Sequence, residues 1–270
     1  SYLNREQYGD RPLLYGQYYN APVIDQENRK SYIQKNGRYK KITLTNPEYK
    51  YDPDFMTIFP RMYSFQDRHI SQYKSWANIK RTPVRVPGRS GKSELRYKPT
   101  FVENLKFFFS YQVWHRYFRY FLWNFSGRQN DIQGHGESIK GNWLSGIPFW
   151  DNYRLGSQDN LPLKFSGKST NKYYLLPLIL GIIGLVYNYR NERKTFWIVL
   201  MLFFFTGIAI VIYLNQTPLQ PRERDYAYAG SFYAFAIWIG MGVLGIYHYA
   251  KKYLHAKMAA ILAILISLSI

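Results

Sequence analysis

Tyr213-Leu-Asn-Gln-Thr-Pro-Leu-Gln-Pro-Arg-Glu-Arg-Asp-Tyr-Ala-Tyr-Ala-Gly-Ser231 is a polar stretch pinned between two apolar runs, Phe196–Leu214 and Ser231–Tyr249. Each run is 19 residues long, close to the ~20 needed to cross ~30 Å of hydrocarbon. Pro218 and Pro221 stop either helix from continuing through the stretch, and Gly230 permits a tight re-entry into the next helix. Four consecutive charges, Arg222, Glu223, Arg224 and Asp225, lie in between. Charges held at a membrane boundary are costly to place and often functional. The plainer reading is a solvated loop whose arginines touch lipid headgroups.

Working outward, the 270 residues divide by composition. Residues 1–172 carry 28 Lys and Arg against 14 Asp and Glu, and residues 173–270 carry 8 against 3. The first part is basic and rich in tyrosine. The second is apolar with short charged loops. There is no cysteine, which excludes disulfides and thiolate metal sites. The chain starts at Ser1 and ends inside the apolar run Met258–Ile270, so it reads as an internal fragment. A basic, aromatic-rich segment can suggest nucleic acid, but beside apolar runs of this length the expected partner is anionic lipid or a lipid-linked phosphate, and no nucleic acid.

Within residues 1–172, Asn36-Gly37 between Ser31–Lys35 and Arg38–Leu44 predicts a hairpin, because this pair supplies the positive φ values of a two-residue turn. Residues 80–100, broken by Pro83, Pro87 and Pro99, read as a linker. Gly88-Arg-Ser-Gly-Lys-Ser93 inside it only imitates a phosphate-binding loop: the position that needs glycine is Val86. Phe107, Tyr111, Trp114, Phe118, Phe121 and Phe125 recur at 4-3 spacing, which predicts an amphipathic helix over 101–125. With His115, Arg116 and Arg119 on its other side, that helix suits a membrane interface; the alternative is a core-facing helix. It leads into a polar loop, residues 124–160, whose first part Asn124–Glu137 has the composition of a binding loop. His135 and Glu137 are too few for a metal site, and no metal or cofactor is expected.

The remaining apolar runs predict transmembrane helices at 173–189, 196–214 and 231–249, and a truncated one at 258–270. Tyrosines at 173, 174, 187, 189, 213, 247 and 249 sit at their ends like an aromatic belt. Flanking Lys and Arg lean only slightly toward placing residues 1–172 outside.

Three strings carry a family resemblance: Tyr2–Gln17, Tyr120–Glu137 with Gly141–Gly146, and Leu214–Ser231. In them the chain is similar to bacterial multi-pass membrane proteins of glycosyltransferase family 117, distant relatives of the protein O-mannosyltransferases. The resemblance implies a mostly α membrane protein of the inner membrane: a GT-C-like transmembrane helix bundle with an extracytoplasmic, loop-rich α+β region over residues 1–172. It implies sugar transfer from a polyprenyl-phosphate donor to a protein or glycan. The catalytic acidic residue of such enzymes is expected outside this chain.

Guanidinium groups stabilise a leaving phosphate well. Arg222, Arg224 and Arg128 are therefore the candidate donor-phosphate ligands. Glu223, Asp225, Asn215, Gln216, Gln129, Asn130, Asp131 and Glu137 are candidates for binding sugar or acceptor, or for orienting the arginines. The rival is a non-enzymatic transport or secretion scaffold, in which both loops are structural braces.

Overall fold

Asn36 and Gly37 adopt φ values of 50° and 73°, as a type I′ turn requires, and Lys35 pairs with Arg38 across it. The hairpin they close is much longer than the predicted segment: β2 (Val23–Lys35) and β3 (Arg38–Tyr51) form a two-stranded antiparallel ribbon. Tyr32, Ile33 and Tyr39 are exposed, so the ribbon has no core of its own near the turn. The computed structural model describes residues 15–80, 82–87, 93–159, 161–162, 164–165, 167–220 and 224–268. These fall into two units, one made of the residues up to Tyr111 with Asn215–Gln220, the other of Gln112–Leu214 with the residues from Arg224 on.

In the first unit, β1 (Tyr15–Gln17) pairs antiparallel with β4 (Met56–Ile58). Helix α1 (Asp67–Ala77) ends at Asn78, whose left-handed φ of 53° lets its N–H cap Lys74 O. The segment expected to be a linker instead contains an antiparallel pair, β5 (Thr82–Pro87) and β6 (Ser93–Lys98). A two-stranded sheet has only edges, so Pro83 and Pro87 cost it no interior ladder bond. Of the imitation phosphate loop, residues 88–92 lie outside the described residues and Ser93 opens β6. Tyr19, Met62, Tyr73, Ala77, Phe107 and Tyr111 make this unit's core. The fully buried Asn104 ties its segments together, donating to Tyr18 Oη at 3.0 Å and accepting from Met62 N at 3.0 Å.

Helix α2 opens with a reciprocal cap, Thr100 Oγ1 accepting from Glu103 N and Glu103 Oε2 from Thr100 N. It runs as α-helix Phe101–Phe107, π-helix Phe108–Phe118 and α-helix Arg119–Phe125. The predicted stripe does not stay in line. Phe107 and Tyr111 enter the first unit's core, and Phe121 and Phe125 the second's, while Trp114 is exposed. His115, Arg116 and Arg119 are buried within the protein instead of forming a solvated basic face. The cause is the π-helical stretch. Its i→i+5 turns hold more residues than α-turns, so positions spaced for a 3.6 period rotate out of register.

In the second unit, β7 (Gly127–Arg128) pairs with β8 (Asn171–Lys172), with α3 (Pro148–Leu155) between them in the chain. Then come α4 (Leu176–Asn191), α5 (Arg193–Thr206), α6 (Ile208–Leu214), a 3₁₀ turn over Asp225–Tyr228 leading into α7 (Ala229–Ala250), and α8 (Ala256–Leu268). Phe121, Phe125, Phe196, Val199, Ala234, Phe235 and Trp238 form the core.

The expected GT-C-like transmembrane bundle is corrected by this architecture. About half of the chain is helical, and four small two-stranded sheets make up the rest of its regular structure among the described residues. Only two helical stretches described are long and apolar enough to cross a membrane, Arg193–Leu214 with 22 residues and Asp225–Ala250 with 26. The run expected to cross at 173–189 yields a 16-residue helix, about 24 Å long at ~1.5 Å per residue. Tyr174 and Leu175, with φ of 53° and 61°, interrupt the backbone before it starts. Helix α8 has 13 residues.

Candidate functional site

The segment Asn124–Asn142 folds upon itself by spending its amide side chains on backbone groups. Gln129, 1% exposed, donates to Ser138 O at 3.0 Å and Gln158 Oε1 at 2.8 Å, and its Oε1 accepts from the backbone and side chain of Asn142. Asn130, 2% exposed, donates to Ile139 O and Phe165 O and accepts from Ile132 N and Gly141 N. These two candidates for binding sugar or acceptor, or for orienting the arginines, are thus buried with their amides hydrogen-bonded inside the protein. Glu137 accepts from His135 N at 2.6 Å and from Lys140 Nζ at 3.0 Å. Burial would raise its carboxyl, but those bonds outweigh it and hold Glu137 at about 2. Asp131 is exposed. Arg128 lies half-buried: its N–H meets Asn171 Oδ1 at 2.7 Å, its Nε meets Ser169 O at 2.8 Å, and its guanidinium stands 5.6 Å from the Trp123 ring.

Beneath this loop lies a basic cluster that composition alone did not reveal. His115 donates Nε2–H to Gly134 O at 3.1 Å. Arg119 Nε donates to His115 O and Nη1 to Gly141 O, and its guanidinium lies over Tyr120 at 4.6 Å and Trp123 at 5.2 Å. Burial first, then the Arg119 charge, push His115 down to about 3, against the Gly134 carbonyl, which favours the proton. Burial and the nearby Arg116 also lower His135, although Glu137 opposes them.

A pH dependence follows. His115 is neutral in the folded chain, whereas unfolded chain takes up a proton below its ordinary 6.5. The unfolded state binds more protons in that window, so stability falls as pH drops from 6.5 toward about 3. Glu137 adds a loss in the same direction below its ordinary 4.5. Thermal denaturation of His115→Gln should show a shallower decline between pH 6.5 and 4.5 than the parent chain, with a residual slope from His135 and His69, both also lowered. An unchanged slope would assign the acid sensitivity elsewhere.

The opening stretch divides between the two units. Asn215 and Gln216 are buried in the first. In the second, Arg224 is exposed immediately before the 3₁₀ turn, and Asp225 is exposed in its first turn. Arg222 and Glu223 lie outside the described residues. Among the described residues no three His, Asp or Glu side chains converge as a metal site.

Sequence reasoning missed Asp151 and Arg154. Asp151, 2% exposed, accepts from Ser145 N and Gly146 N at 2.9 Å each and lies 3.5 Å from Arg154 Nη2, while Arg154 stacks on Trp143 at 4.0 Å. Their spacing of three within Pro148–Leu155 is an ordinary helical pair, with no signal in the sequence for its burial.

Among known proteins, a family model described as a family of unknown function, DUF8416, matches residues 9–109. The match ends just before Tyr111 and so falls in the first unit. No curated protein and no solved structure matches the chain.

Proposed function

We propose that the chain belongs to a membrane-bound glycosyltransferase that takes its sugar from a polyprenyl-phosphate donor and passes it to a protein or glycan acceptor. The observation that carries this reading is the position of Arg224. It is an exposed guanidinium at the start of a 26-residue apolar stretch. In a bilayer, the beginning of such a stretch lies at phosphate depth. The helix end adds partial positive charge from its unpaired N–H groups, and the planar guanidinium matches phosphate oxygens in pairs. Asp225, exposed beside it, orients the arginine or binds a sugar hydroxyl. Arg222 and Glu223, its neighbours in the chain, extend the same role, and Arg128 and Asp131 offer further polar contacts at the surface of the second unit. The family resemblance of the three strings supports the reaction class.

One observation favours the scaffold alternative: Gln129 and Asn130 have their hydrogen-bonding capacity taken up internally. Sugar transfer by purified enzyme separates the readings. Charged hydrogen bonds contribute about 1.5–3 kcal/mol, so Arg224→Ala should weaken donor binding roughly 10- to 150-fold with the protein still folded. Arg224→Lys should fall between that and the parent, because charge is kept and the fork lost. Donor affinity and transfer at the parent level in both variants would favour the scaffold.

A further inference from the structure

Helix α3 presents large apolar side chains to its surroundings on a rigid support. Phe149 is 82% and Tyr153 83% exposed, and Ile147 and Trp150 are about half exposed. A flexible loop would bury such residues by collapsing. This segment is held open by the buried Asp151 carboxylate on Ser145 N and Gly146 N and by Arg154 stacked on Trp143.

Its level along the bundle is set within the same unit. A side-chain carbon at Gly146 would stand 2.9 Å from Tyr174 Cδ1, so the start of α3 adjoins the residues that lead into α4. Helices α4 and α7 run parallel: Gly181 abuts Phe235, Asn188 Oδ1 accepts from Trp238 Nε1, and Arg190 Nη1 donates to Tyr249 Oη. The start of α4 therefore lies on the same side as the start of the 26-residue apolar stretch. Tyr174, just before α4, and Tyr226, at the start of the 26-residue stretch, are both more than half exposed and mark that level, and Lys172 is exposed two residues before Tyr174.

We propose that α3 is a membrane-interface anchor. Phe149, Trp150 and Tyr153 enter the boundary between headgroups and acyl chains, in line with Tyr174 and Tyr226, and Lys172 faces lipid phosphate. Aromatic rings with a polar edge favour that boundary, and an interfacial helix buries its apolar face roughly 5–10 Å into it. The inference rests on the membrane placement used for the proposed function, but not on the reaction.

The chain has no cysteine, so single labelling sites are simple to create. Phe149→Cys, Tyr153→Cys, Leu244→Cys and Tyr39→Cys would each carry an environment-sensitive fluorophore, in the full chain held in phosphatidylcholine/phosphatidylglycerol nanodiscs. Leu244 lies exposed within α7 and Tyr39 on the hairpin. At 149 and 153, lipid spin labels near the headgroup should quench about twofold or more better than labels deep in the acyl chain. Aqueous iodide should quench both sites several-fold less than the Tyr39 site. The Leu244 site should respond best to the deep label. If it responds to neither lipid label, the membrane placement fails and the anchor with it. If it responds while 149 and 153 remain as open to iodide as Tyr39, the anchor alone is overturned. Shielding of 149 and 153 from iodide without lipid quenching would also overturn it, and would assign the patch to a protein or glycan partner.

Discussion

Gly184→Ala should destabilise the second unit by about 3 kcal/mol, at the upper end of what overpacking costs in a well-filled core. A Cβ at Gly184 would be driven into the carbonyl oxygen of Trp238 and would stand 2.6 Å from Gly242 N. Both obstacles are backbone, so no side-chain rotation can relieve them and α4 must move away from α7. That movement disturbs Trp238, which is buried among the core aromatics and donates to Asn188. Gly242→Ala meets the same obstacle from the other side, at the carbonyl oxygen of Leu180. Gly240→Ala is the control. Its Cβ has open space, and the intrinsic helix preference for alanine over glycine is about 1 kcal/mol. Thermal unfolding of the purified chain should therefore rank Gly184→Ala far below the parent and Gly240→Ala level with it or above. Equal stability of the two variants would show that the α4–α7 contact is looser than its geometry implies.

Asp151→Ala should be similarly damaging, costing about 3–5 kcal/mol, the range for removing one partner of a buried charged group. The carboxylate is nearly inaccessible and satisfies two backbone donors at once. Alanine leaves the N–H groups of Ser145 and Gly146 without that acceptor, at about 1–3 kcal/mol each if they remain dry. It also leaves the half-buried Arg154, stacked on Trp143, without its counter-charge. Asp151→Asn keeps one acceptor oxygen but turns an amide N–H toward a second donor, so it should fall between the two. Amide hydrogen exchange at residues 145–155 should accelerate in Asp151→Ala before it does in the α4–α7 contact. Unchanged protection there would place the rigidity of this segment in other contacts.

Taken alone, the sequence determined what is local and chemically obligatory. Asn36-Gly37 specified the hairpin turn because few residues accept positive φ at two successive positions. The apolar runs specified α5 through α7, because stretches of that length with few charges leave a helix little alternative. Lengths were less legible. Strands β2 and β3 continue far past the turn, since backbone pairing propagates wherever nothing stops it. Tyr174 and Leu175 take left-handed φ values just before α4 begins, a backbone break that the hydrophobic run does not signal. Pro83 and Pro87 suggested a linker, although a two-stranded ribbon tolerates proline along its edges.

Tertiary structure decided the roles of the polar residues. Gln129 and Asn130 look like ligands in a list of side chains, and only the fold shows their amides turned onto the backbone around Ser138–Asn142. His115, Arg116 and Arg119 look solvated on a helical wheel. The π-helical turn in α2, which has no signature in hydrophobic spacing, rotates them into the protein. The sequence shows which groups are charged; whether a group meets water, a backbone carbonyl or another charge depends on contacts between residues distant in the chain.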